Sequence, residues 1–141
     1  MKKINSLLLV CLISAFVCAQ DSPKTDADIH VIKLTKTADN DKYGLTPEQP
    51  VKVGKGPNGG PGNQRSYLEQ LRDGKGKSVT YKRLGSCCPY PSKNGLFGSA
   101  MVDKYEVVYQ NVKGKKKKTV IYISFYYYEE PMAVFGFTPA G

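Results

Sequence analysis

The residues with the most chemical potential are two adjacent thiols, set in Gly85-Ser86-Cys87-Cys88-Pro89-Tyr90. Neighbouring α-carbons stand about 3.8 Å apart across a trans peptide, whereas disulfides favour roughly 4.4 to 6.8 Å. A bond between Cys87 and Cys88 therefore closes a tight ring, which is expected to be strained and readily reduced. Such a pair can act as a redox-responsive switch, or as a thiol that exchanges with a partner. It can equally be a rigid vicinal disulfide that shapes a loop, or two thiols tucked beneath one. Intermolecular bonding and metal capture complete the alternatives.

Cys88-Pro89-Tyr90 matches the start of the Cys-Pro-Tyr-Cys of glutaredoxin-like active sites, but Pro91 stands where the second cysteine belongs. No strand-then-helix follows the pair, so the match fails. Two adjacent thiolates do not supply the ligand spacing of a zinc site, and the only histidine, His30, lies far upstream. Cu(I) suits soft thiolates, yet no other residue here supports it. No metal or cofactor is expected.

Four further features could carry function. The run Lys115-Lys116-Lys117-Lys118 raises local potential and could touch acidic lipid head groups or glycans, while as a solvated turn it would discourage edge pairing. Tyr122, Tyr126 and Tyr128 could stack on sugars or a peptide, or simply pack as good strand residues. With the lysines they make a candidate interaction surface. The Gly-rich run Gly54 to Gly62 precedes a helix with Arg65 in its first turn, a setting for an anion, but neither phosphate-loop glycine pattern is present. Glu129 and Glu130 are adjacent on an extended chain and point to opposite sides, which argues against a shared acid/base site. No Ser/His/Asp or Cys/His grouping forms without His30, and no catalytic residue is assigned.

The setting of these residues follows from the chain's opening. Met1-Lys2-Lys3, the apolar run Leu7 to Val17, and Cys18-Ala19-Gln20 have the charged, apolar, small-residue order of an export signal. The apolar run is too short to span a bilayer. Cleavage before Gln20 leaves 122 of the 141 residues and removes Lys2 and Lys3, so the formal charge falls by two from +9 to +7. Cys11 and Cys18 leave with the signal, and Cys87 and Cys88 are the cysteines that remain, in an oxidising compartment. The product is expected to be periplasmic or secreted. The alternative is a lipid anchor at Cys18, against which Val17 stands where such signals carry a small residue. Export makes nucleic acid an unexpected partner.

A polar leader, partly flexible, is expected over residues 20–46, with one apolar patch, Ile29 to Leu34, able to form a strand. The domain proper spans 47–141. Pro50 to Val53 reads as a weak strand, and Gly54 to Gly62 as a loop. Asn63 is suited to cap a helix over Gln64 to Asp73, with Tyr67, Leu68 and Leu71 on its inner face and Gly74 as its stop. Ser78 to Leu84 reads as a strand, and Gly85 to Gly98 as the loop carrying the cysteines. Met101 to Gln110 and Thr119 to Tyr128 are rich in β-branched and aromatic residues and predict an antiparallel hairpin across the basic link Asn111 to Lys118. Its odd-numbered face, Tyr105, Val107, Tyr109, Ile121, Ile123, Phe125 and Tyr127, is assigned to the core. A last extended piece covers Ala133 to Thr138. The class is α+β: a small single domain, mainly antiparallel sheet with one short helix.

The segments Gly62 to Leu68, Tyr81 to Tyr90, Asp103 to Val107 and Tyr127 to Met132 resemble a family of short exported bacterial proteins of unknown function, in which Gly-Ser-Cys-Cys-Pro-Tyr is distinctive. Members sometimes carry the label 2-dehydro-3-deoxyphosphooctonate aldolase. That enzyme is a (β/α)₈ barrel, which takes about 250 residues and eight helices, so the label finds no support in these residues.

The expected function is that of a non-catalytic binding or structural interaction domain of the cell envelope, acting on an unknown component such as an anionic surface or glycan. The alternative is a thiol-disulfide redox or sensing protein, with Cys87 as attacking thiol and Cys88 as its resolving neighbour. The aldolase reading rests on the family label alone.

Overall fold

A computed structural model describes residues 29–141. The expected export signal and the first part of the expected leader lie outside the described residues. The elements are β1 (Val51–Lys52), α1 (Gly59–Glu69), β2 (Leu71–Arg72), β3 (Thr80–Leu96), β4 (Ser99–Gln110), β5 (Lys116–Ser124) and β6 (Thr138–Pro139). Four strands form a sheet in the order β1-β5-β4-β3, in which β1 runs parallel to β5 and the other pairs are antiparallel. β2 and β6 make a small antiparallel pair of their own. The protein is thus α+β, with one helix and mostly antiparallel strands.

The helix begins within the glycines, earlier than the sequence predicts, and it ends at Glu69 rather than Asp73. Close approach explains the glycines: a Cβ on Gly60 would overlap the Phe125 side chain, and one on Gly62 would meet Asn58. Pro61 sits in the first turn, where its missing N–H costs little. Asn63 is not the cap. It is buried inside the helix, and its amide donates to the carbonyls of His30 (2.9 Å) and Val53 (2.8 Å), a tertiary staple instead of a local one.

At the other end, Asp73 leaves the helix because its carboxylate accepts from the backbone amides of Lys75, Lys77 and Gln110, at 2.9 to 3.0 Å. A side chain that satisfies nearby backbone donors competes with helix continuation. Gln64, Tyr67, Leu68 and Leu71 keep the three-and-four spacing and turn inward, where all four are fully buried.

The hairpin of β4 and β5 is present, but it is offset. Asn111 accepts from the amides of Lys113 and Lys115, and Gly114 takes a positive φ of 79°, so the turn closes over Asn111 to Lys115. Lys116, Lys117 and Lys118 are therefore strand residues, opposite Gln110, Tyr109 and Val108, and not a solvated tip. Pairing also ends early, at Ser124. Phe125 to Tyr127 then bend, and period-two alternation lapses with the strand. Tyr127, assigned to the core from its odd number, is 46% exposed for this reason.

Tyr105, Val107, Ile121 and Ile123 do form the buried face, packed with Val51, Val53, Tyr67, Leu68, Val134 and Phe137. Tyr109 and Phe125 pack at its margin.

β3 runs through the stretch read as a loop. It pairs with β4 from Thr80 to Leu96, with irregularities between Arg83 and Gly85, Cys87 and Tyr90, and Pro91 and Leu96. The pairing survives because it slips at these points, leaving Pro89 out of the paired positions. Phe97 and Gly98, both at positive φ, make the two-residue turn to β4.

The Ile29 to Leu34 patch forms no strand. Even so, Ile32 and Leu34 are buried, and Gln70 ties this segment to the helix by accepting from the Leu34 amide and donating to the Ile32 carbonyl. Thr37 bridges to Ala133. From residue 29 onward the leader is thus packed on the domain. No helix among the described residues is long and apolar enough to cross a membrane.

Candidate functional site

Cys87 and Cys88 are joined in a vicinal disulfide, with α-carbons 3.7 Å apart. Both sulfur residues are half-buried and pack on a second apolar cluster, Tyr90, Ala100 and Val102, which Tyr122 and Tyr126 complete. This cluster sits on the opposite side of β4 from the main core, since Val102 and Asp103 are adjacent in the strand and both are buried. The sheet is therefore covered on both faces at the level of the disulfide.

Two polar clamps hold the strand that carries the pair. On the upstream side, Ser86 donates to Asp103 Oδ1 (2.5 Å), and Arg83 donates to the same oxygen (2.7 Å) and to the Ser86 hydroxyl (2.8 Å). The other carboxylate oxygen accepts from the Gln64 amide (2.9 Å), whose own oxygen accepts from the Tyr105 hydroxyl (2.8 Å). Helix, β3 and β4 meet at this one carboxylate. On the downstream side, the Tyr90 hydroxyl donates to the Ser124 hydroxyl (2.8 Å) across the sheet to β5. Cys88, between the clamps, has a φ of 54°, a left-handed conformation that costs a non-glycine residue of order 1 kcal/mol or more.

Burial opposes ionisation of Asp103, but the hydrogen bonds from Ser86, Arg83 and Gln64 outweigh it, and its pKa falls below the usual carboxylate value. Asp73 is lowered too: desolvation again opposes the charge, and three backbone amides overcome it. A carboxyl whose folded pKa is depressed adds stability that is fully present above its unfolded pKa, about 3.9, and is lost as pH falls through the folded value. The urea midpoint should accordingly hold steady above about pH 5 and drop below about pH 4. In Asp103→Asn that acid slope should be shallower, and parallel curves for the two proteins would remove Asp103 from the explanation.

An open cleft of about 310 Å³ lies beside the disulfide, between the Pro47-Glu48 turn, Lys52 and the run Cys88 to Pro91. It touches Cys88 and not Cys87. Lys52 is ion-paired to Glu129 at 2.7 Å and lies 5.5 Å from the centre of the Tyr127 ring.

The tyrosines do not form one patch. Tyr122 and Tyr126 belong to the cluster at the disulfide, whereas Tyr128 stacks on His30, ring centres 3.7 Å apart and planes nearly parallel. The lysines divide as well. Lys115 lies in the turn, and along β5 the alternation sends Lys117 to the core side while Lys116 and Lys118 share the outer face with Val120 and Tyr122. Their cross-strand partners on that face are Gln110, Val108, Glu106 and Lys104, and Lys82 of β3 stands opposite Glu106. None of these outer-face residues is buried.

Lys82, Lys104 and Lys118 thus surround one acid, Glu106, which Lys118 engages at 3.1 Å, and Lys116 extends the basic row further along β5, opposite Gln110. Alternation along β4 already puts Lys104 on the outer face beside Glu106, whereas Lys82 was legible only once the register was known. Asp103 gave a plainer signal: its odd number puts a carboxylate on the core face, and a buried charge requires partners.

Among the described residues, no three His, Cys, Asp or Glu side chains group to hold a metal ion. Gly56 and Gly59 bond to each other through their backbones, so the glycine run spends those amides internally. Comparison with protein-family models, with curated proteins and with solved structures finds no match.

Proposed function

We propose that the protein is an exported cell-envelope component that binds rather than catalyses, and that it holds an acidic glycan on the outer face of its sheet. The supporting observation is the convergence of Lys82, Lys104, Lys116 and Lys118 with Tyr122 on one unburied face, opposite the core. Neighbouring strands are about 4.8 Å apart, and alternate residues along a strand about 6.7 Å, so the ammoniums form a grid that a chain of regularly spaced carboxylates can follow. Tyr122 offers an aromatic ring for sugar stacking at the end of that grid. Attraction of this kind gathers an anionic polymer from solution and weakens as salt screens it. The charged, apolar, small-residue order of Met1 to Gln20 supports the same setting.

The test is charge reversal on the grid. Lys82→Glu with Lys116→Glu should lower affinity for alginate, used as an acidic-glycan probe, by at least tenfold at low salt. Lys33→Glu with Lys113→Glu, which changes the net charge equally at two exposed positions off the grid, should change it by less than threefold. Equal loss in both proteins would mean that net charge alone attracts the polymer. Tighter binding to phosphatidylglycerol vesicles than to alginate would identify a lipid surface as the partner instead.

A further inference from the structure

We infer that the Cys87–Cys88 disulfide is a thiol-exchange site in which Cys88 is the sulfur attacked, and that the cleft beside it seats a peptide thiol. This goes beyond binding on the outer face and does not depend on it.

Three observations combine. The cleft touches Cys88 while Cys87, held in register with Val102, does not reach it. Cys88 falls in the unpaired stretch between the Cys87 and Tyr90 register positions, with a backbone conformation that favours glycine. The Ser86–Asp103 and Tyr90–Ser124 clamps then fix both flanks, so the bonded pair stays presented at the cleft wall. Which sulfur of a disulfide is attacked depends on access, and Cys88 is the one of the two half-buried residues that lines the cleft.

The lining identifies the substrate class. Pro47, Pro89 and Tyr90 give apolar walls, while Glu48 and Lys52 put one carboxylate and one ammonium at the same opening, the ammonium shared with Glu129. A short peptide carrying a thiol together with charges of both signs complements that arrangement, whereas a purely apolar or purely anionic thiol does not.

The exchange balances as follows. The peptide thiolate attacks Cys88 Sγ, forming a new S–S bond as the Cys87–Cys88 bond breaks, and the bonding pair leaves on Cys87 as a thiolate that takes a proton from water. Attack by Cys87 on Cys88 reverses the step. Attack by a second peptide thiolate on the peptide sulfur releases an oxidised peptide disulfide and leaves Cys87 and Cys88 as a dithiol.

Reduced glutathione serves as the probe. The purified protein is mixed with it, quenched with N-ethylmaleimide, and fragmented by tandem mass spectrometry. Glutathione should be found on Cys88 and maleimide on Cys87, in roughly tenfold excess over the reverse pattern. Glu48→Trp, which fills the mouth of the cleft, should slow reaction with glutathione at least fivefold and leave 2-mercaptoethanol nearly unaffected.

Because the adduct can revert quickly, single-thiol variants give an independent check. With oxidised glutathione, Cys87→Ser should form its mixed disulfide about ten times faster than Cys88→Ser. Equal rates, preferential labelling of Cys87, or no adduct by either route would overturn the assignment.

Discussion

Replacing Tyr67 by alanine should lower the unfolding free energy by about 3 to 5 kcal/mol, the range for deleting a fully buried aromatic ring. Tyr67 is 0% exposed and sits at the centre of the helix face that packs on the sheet. Its hydroxyl also donates to the Met132 carbonyl at 2.9 Å, tying the helix to the C-terminal segment that carries Ala133, Val134 and Phe137 into the core. Tyr67→Phe keeps the ring and removes only that bond, so its cost should be nearer 1 to 2 kcal/mol. Urea denaturation separates the two. A small domain holds about 5 to 15 kcal/mol in total, so the alanine variant loses a large share and the phenylalanine variant does not. Equal losses would assign the hydroxyl, not the ring, as the principal contributor.

Asp103→Ala should be the next most damaging change, at about 3 kcal/mol. The carboxylate is 7% exposed, and it receives Ser86, Arg83 and Gln64 at once. Arg83 is 51% exposed, so water screens its half of the ion pair and returns part of its loss. Gln64 has no such recourse, being fully buried, and its amide keeps only the longer 3.3 Å bond to the Ile123 carbonyl. The consequence should extend to the disulfide, because Ser86 loses its anchor one residue before Cys87. Hydrogen exchange should rise at Ser86 and Cys87 in this variant, measured relative to a Lys113→Ala control of unchanged stability. Unchanged protection there would separate the clamp from the presentation of the pair.

The hairpin and its buried face were legible because β4 and β5 are long and alternate cleanly, so Tyr105, Val107, Ile121 and Ile123 declare themselves by number. The helix was legible in kind but displaced, because glycines usually mark irregular chain. Here Gly60 is required by the nearness of Phe125, a contact between residues 65 apart in the chain that no local pattern encodes.

The lysine run was misplaced by five residues of turn. Asn111 closes the loop through its side chain, and that choice moves three lysines from a tip into a strand. β1 pairs with β5 through only two residues, and the packing of Ile32 and Leu34 runs through Gln70. Such short, distant contacts leave little periodicity to read.

The candidate site shows the same division. The cysteine pair announces itself by residue type, but the sequence left its bond open among several alternatives and the fold shows it closed. The clamp at Asp103 was partly legible from parity, but Gln64 and Tyr105 join it from the helix and the sheet, which only the packing brings together. The basic outer face depends on cross-strand register, since Lys82 is 34 residues from Lys116.

Amide chemical shifts followed while an acidic oligosaccharide is titrated into the protein locate the ligand without any substitution. Binding on the outer face predicts that the largest changes fall at Lys82, Lys104, Lys116, Lys118 and Tyr122, and that they shrink as salt is raised. Changes confined to the Asn111 to Lys115 turn, or spread evenly over every surface lysine, would contradict it.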